Sequence, residues 1–88
     1  MHVFGHLGIG IIHVLIRAAA AERAAAEDAR DALIEAAIAL DGSCSGEHGM
    51  GLGNRRHAAR EHGEALDLMR AVKDVFDPHG ILNPGKMW

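Results

Sequence analysis

The sequence predicts an α+β chain that is mostly α, with a short antiparallel piece of sheet first and helices after it. Three observations carry that prediction. Residues His2–Ile16 are rich in β-branched side chains and punctuated by glycine. Residues Arg17–Leu40 are dominated by alanine, the strongest helix former, with charges interleaved. Residues Glu64–Phe76 place Leu66, Met69, Val72 and Phe76 at helical spacing.

Taken in order, the first segment reads as two short strands, or one strand entered by a tight turn at Gly8–Gly10. The alanine-rich segment puts Leu33, Ala37 and Leu40 on one helical face, with Ile34 and Ile38 beside them. Asp41-Gly42 ends that helix, with glycine expected as the left-handed cap. Asn54 is expected to cap a helix over Arg55–Glu61 that Gly63 ends, and the helix over Glu64–Phe76 follows. Asp77-Pro78-His79-Gly80 and Asn83-Pro84-Gly85-Lys86 have the composition of turns. The helical Leu, Ile and Met residues are expected to form the core, with Cys44 a small buried residue.

Composition narrows the function. The chain has 88 residues, room for one small domain, with 9 Lys and Arg against 12 Asp and Glu and a net charge of −3. Without a basic field, and with only 2 Phe and 1 Trp for stacking, no nucleic-acid partner is expected. The apolar run Gly8–Ile16 is interrupted by His13 and is far shorter than the roughly 20 residues that span a bilayer, so no transmembrane segment is expected. A secretory leader is disfavoured because no Lys or Arg precedes Arg17 and two glycines and a histidine break the apolar run. One cysteine admits no internal disulfide, and a reducing, cytoplasmic setting is the expectation.

Chemistry concentrates in SGEHGMGLGNRR, residues Ser45–Arg56, with four glycines, a Glu-His pair and an Arg pair. Glycines allow a backbone to approach a ligand closely. They do not form G-x-G-x-x-G, and no P-loop Lys-Ser/Thr is present, so no nucleotide loop is expected within these residues. Glu47 and His48, if they lie on a strand, point to opposite sides and can do two jobs; a solvated loop pair is the plainer reading. His6 and His13 are seven apart. A single strand would put them on opposite faces, and a turn at Gly8–Gly10 can bring them together. Arg55 and Arg56 at a helix start oppose the macrodipole, so solvent or an anionic partner are both open for them.

Three segments, GHLGIGIIHV (Gly5–Val14), SGEHGMGLGNRR and DPHGILNPGKMW (Asp77–Trp88), in this order and spacing, resemble the C-terminal region of FAD-linked oxidases of the vanillyl-alcohol oxidase superfamily. The nearest groups look like the glycolate oxidase flavin subunit, D-lactate dehydrogenase and D-2-hydroxyglutarate dehydrogenase. The resemblance covers nearly the whole chain. It implies that residues 1–42 are the last strands and helix of an antiparallel substrate-cap domain. It also implies that residues 43–88 are an active-site loop, two helices and a return to an FAD-binding domain that lies outside these residues, so that the chain is an incomplete fragment of a larger flavoenzyme.

The implied reaction oxidises a small 2-hydroxy acid to the 2-keto acid with FAD. By the same resemblance His6, His13 and Glu47 are divalent-metal ligands for zinc or manganese, and His48 is the catalytic base. Asn83, Lys86, Arg55 and Arg56 lie toward the flavin. The family pattern at the first segment is similar to G-H-L-G-D-G-N-L-H. Here Ile9 and Ile11 replace its Asp and Asn, Leu15 stands where some members carry a substrate-binding Asn, and Asn54 stands where a Lys often precedes the Arg pair. Two other readings remain: a non-catalytic helical interaction fragment, and a small metal-binding protein or hydrolase built on His6, His13 and Glu47.

Overall fold

The computed structural model describes residues 1–88. It is mostly helical with one two-stranded antiparallel sheet, as the sequence predicts. The chain divides into two compact units, Met1–Gly46 and Glu47–Trp88. No helix is long and apolar enough to cross a membrane.

In the first unit, β1 (His2–His6) and β2 (Ile11–Leu15) form a hairpin in which His2 pairs with Leu15, Phe4 with His13 and His6 with Ile11. A 3-10 turn over Leu7–Ile9 joins them, closed by the Gly10 amide donating to the Leu7 carbonyl at 3.1 Å. Gly5 is required by space rather than by φ. A Cβ there would sit 2.1 Å from the Ile11 carbonyl oxygen, an approach that no side-chain motion can relieve.

Helix α1 spans Arg23–Ala39, a shorter stretch than the Arg17–Leu40 that alanine content predicts. The difference lies at its start. The Glu22 carboxylate accepts from the Ala19 amide at 2.9 Å and closes a 3-10 turn over Ala20–Glu22, so residues 17–19 stay outside the helix. At the other end Gly42 N–H donates to Ala37 and Asp41 N–H to Ile38, the paired bonds of a Schellman motif. The left-handed residue of that motif is Asp41, at φ 59, and not Gly42 as expected. Gly42 serves by being small, because a Cβ would lie 2.8 Å from the Ala37 carbonyl oxygen. The expected face is half right: Ile34, Ala37 and Ile38 are half-buried, whereas Leu33 and Leu40 are exposed.

The second unit departs further from expectation. Helical structure starts at α2 (Gly51–Asn54), runs through a 3-10 turn at Arg55–His57 and continues as α3 (Ala58–His62). Asn54 ends α2, its amide bonded to the Met50 carbonyl, and stands as expected at the N-cap position of the helical turn that starts at Arg55, without a side-chain capping bond. Gly63 ends α3 as predicted, its amide donating to Ala59 at 3.0 Å.

Helix α4 (Ala65–Phe76) matches its predicted extent but not its predicted orientation. Leu66 is half-buried, while Met69, Val72 and Phe76 are exposed, with Leu68 and Val75 beside them. The C-terminal return docks instead along Arg70, Lys73 and Asp77, of which Lys73 is half-buried and Asp77 buried. The Arg70 guanidinium lies 4.7 Å from the centre of the Trp88 ring, and Lys73 Nζ donates to the Leu82 carbonyl at 3.0 Å. Expected core residues thus become surface, and only Ala58 among apolar residues is fully buried.

Asp77 organises that return. It is buried, and its carboxylate pairs with the Lys73 ammonium while accepting the Ile81 and Leu82 amides, each at 2.9 Å. The hydrogen bond from Lys73 holds its carboxyl below the ordinary value of 3.8; burial pulls the other way, and the Leu82 and Ile81 amides reinforce the lowering. The folded chain therefore binds this proton less readily than the unfolded chain. The stability that Asp77 contributes is full above the ordinary carboxylate range and is lost as pH falls through 3.8 toward the folded value. Thermal unfolding of the wild type and of Asp77→Asn, followed between pH 2 and 7, is expected to show a wild-type advantage at neutral pH that disappears at the acid end. A gap between the two proteins that is constant across the range would contradict this account.

Candidate functional site

The first unit supplies an imidazole pair. Side chains alternate along a strand, and antiparallel partners share a face. The register therefore puts His2, Phe4 and His6 on the same face as Leu15, His13 and Ile11. His6 and His13 meet on a diagonal of that face, ring centres 5.9 Å apart and edge to face, with Phe4 5.2 Å from His13. The glycine turn brings together two residues that a single strand would separate. With metal–nitrogen bonds of about 2.0–2.1 Å, two imidazoles on one tetrahedral ion have ring centres roughly 5 Å apart. The observed pair is a small side-chain rotation from that arrangement, so it fits a divalent ion. Ile11 lies opposite His6 and fills the space beside Gly46, where a Cβ would be 3.1 Å from Ile11 Cγ1.

The second unit opens with Glu47 and His48. The expectation that a strand would send these side chains apart is not met. Residues 46–48 are bends, Gly49 follows at φ 77, a conformation that favours glycine, and His48 Nε2 comes within 3.6 Å of Glu47 Oε1. Most of the His48 side chain is open to solvent.

The four residues expected toward the flavin divide. Arg55 Nη1 donates to the carbonyls of Gly85 at 2.9 Å and Lys86 at 3.2 Å, so it sits against the turn that carries Asn83 and Lys86. Asn83 is left-handed at φ 48 and lines an open recess with Lys73, Asp77 and Trp88. Lys86 is exposed. Arg56 turns away from that group, its Nε donating to Nε2 of the buried His57 at 3.2 Å. The sequence reading missed the Lys73–Asp77 pair and His57. The first had a signal in the i, i+4 spacing of opposite charges; the second had none, since nothing distinguishes one histidine among seven.

The family model for FAD linked oxidases, C-terminal domain, matches residues 1–87. The mitochondrial D-lactate dehydrogenase (cytochrome) of Arabidopsis thaliana is 37% identical over 89 residues, covering 97% of this chain and 16% of that protein. The D-2-hydroxyglutarate dehydrogenase of Xanthomonas citri pv. viticola is 37% identical over 91 residues, covering 97% and 19%. The glycolate oxidase subunit GlcD of Bacillus subtilis is 37% identical over 89 residues, again covering 97% and 19%. The chain thus spans between 16% and 19% of the length of these relatives. No solved structure matches it.

The imidazole pair depends on the close approach of β1 to β2 at Gly5. Gly5→Ala is expected to force the strands apart at a cost of about 1–3 kcal/mol and to separate His6 from His13. The nuclear Overhauser contact between the two rings should vanish in Gly5→Ala and persist in Gly8→Ala, since a Cβ at Gly8 meets nothing within 4 Å.

Proposed function

This chain belongs to the C-terminal domain family of FAD linked oxidases, and from that membership we propose that it is part of an FAD-dependent oxidoreductase oxidising a small 2-hydroxy acid to the 2-keto acid. The observation that carries the proposal is the match along almost the entire chain to proteins named for D-lactate, D-2-hydroxyglutarate and glycolate oxidation. Residues 1–42 act as the end of the substrate cap, and residues 43–88 bring the active-site loop and the return toward an FAD-binding domain or subunit. The exposed apolar row on α4 supports a role beside further protein. The setting we propose is cytoplasmic.

Oxidation of R–CH(OH)–COO⁻ removes the hydroxyl proton and a hydride equivalent from the same carbon. His48 takes the proton: the unprotonated ring nitrogen of a neutral imidazole is a proton acceptor. His6 and His13, with Glu47 as the third ligand by resemblance, hold a divalent ion, zinc or manganese. Two imidazoles and a carboxylate with an open position suit that chemistry. FAD supplies the hydride acceptor and the ion supplies Lewis acidity toward the substrate hydroxyl. Asn83 and Lys86, with Arg55 behind them, form the flavin side.

Two measurements test this. Zinc titrated into the chain should bind, and His13→Ala should abolish the binding; equal uptake by both proteins would remove the metal role. Grafting Gly42–Trp88 onto a full-length relative should preserve flavin bleaching by hydroxy acid in stopped flow. In that chimera, His48→Asn should slow bleaching by about 10²–10⁴, the usual contribution of a positioned base. Bleaching at the parental rate would exclude His48 as the base.

A further inference from the structure

The C-terminal return, residues 78–88, carries Asn83 and Lys86, and the structure ties it down at both ends. At its beginning, the buried Asp77 carboxylate accepts the Ile81 and Leu82 amides while Lys73 bridges from Asp77 to the Leu82 carbonyl. At its far end, one guanidinium nitrogen of Arg55 reaches across 30 residues of sequence to the Gly85 and Lys86 carbonyls. The Gly85 amide closes on the Trp88 carbonyl at 2.8 Å, and the Trp88 ring stacks under Arg70. Between these fixed points lies Asn83 at φ 48, a left-handed conformation that asparagine tolerates in turns better than most residues.

We infer that Arg55 is a positioning residue: it acts through the Gly85 and Lys86 carbonyls to hold the Asn83–Lys86 turn in one shape, and its guanidinium does not itself contact the flavin. The inference rests on the proposed flavoenzyme reading for what the turn presents, but the clasp itself is a property of this chain. Both adjacent carbonyls are served by Nη1. A charged donor bound to two carbonyls makes stronger hydrogen bonds than a neutral one. Arg56, the neighbouring candidate, gives its Nε to His57.

Amide hydrogen exchange on the full 88-residue chain reads the clasp without any flavin. In Arg55→Gln the Gly85 amide is expected to exchange at least ten times faster than in wild type, with the α4 amides unchanged. Arg55→Lys, which keeps the charge and a donor, should recover most of the protection, and Arg56→Gln should leave Gly85 untouched. In the chimera carrying Gly42–Trp88, Arg55→Gln should slow flavin bleaching while leaving the flavin reduction potential where it was, because no positive charge has been taken from the flavin itself. Wild-type exchange at Gly85 in Arg55→Gln overturns the inference, and so does a potential that moves with the substitution. Loss of α4 protection in both Arg55 variants also overturns it, since the guanidinium would then hold the unit as a whole and not the turn. A parent chimera that fails to bleach would count against the flavoenzyme reading and leave the exchange result standing.

Discussion

Scarcity of buried apolar surface is the constraint from which the architecture follows. A fully buried Leu or Phe stabilises a fold by roughly 1.5–3 kcal/mol, yet Leu40, Leu68, Val75 and Phe76 are exposed and Ala58 is the one fully buried apolar residue. Shape is therefore set by contacts aimed at the backbone. The hairpin closes through a 3-10 turn and a strand approach that only Gly5 permits. Helix α1 ends on two capping bonds, and the return is gathered by a buried carboxylate. Each of these is local or bridges a few tens of residues, and each is directional, so a conformation can be specified where packing alone would leave it loose.

The same constraint explains which parts of the fold could be read from the sequence. Element types were legible because they depend on local preference. The β-branched segment became two strands, the alanine segment a helix, and Asp77-Pro78-His79-Gly80 a turn closed by the Gly80 amide on the Asp77 carbonyl. Which face an element buries was poorly legible. Periodicity marks an apolar face and assumes that something in the chain covers it; on α4 the return covers the other side, drawn by Lys73, Asp77 and Arg70. Boundaries failed where a single side chain decided them, as when Glu22 captured the Ala19 amide and moved the start of α1.

The placement of candidate site residues was legible in part. A turn at Gly8–Gly10 was one of two arrangements the sequence allowed, and it is the one that can place His6 and His13 on a single face; the register has it. Glu47 and His48 lie in a loop, the plainer of the two readings the sequence allowed: the glycines on either side bend the backbone instead of extending it, and adjacent side chains then converge. Arg55 was singled out for its charge, but its partners are carbonyls 30 and 31 residues away, which no local pattern encodes.

Helix α4 links these observations. Its period gives it two faces of opposite character, and the chain uses the polar one for itself. The choice follows from directionality. Lys73 and Asp77 lie four residues apart on one side, and a carboxylate removed from water needs its acceptor positions filled, which the Ile81 and Leu82 amides do. An apolar contact has no such requirement and tolerates exposure at the cost of lost burial. The return is thereby anchored to a helix whose apolar row remains outward, so any displacement of α4 moves the Asn83–Lys86 turn with it through Lys73 and Arg70. The position of the turn is in this sense a property of the helix, and Arg55, reaching from the 3-10 turn ahead of α3, supplies the second point of attachment that fixes its shape.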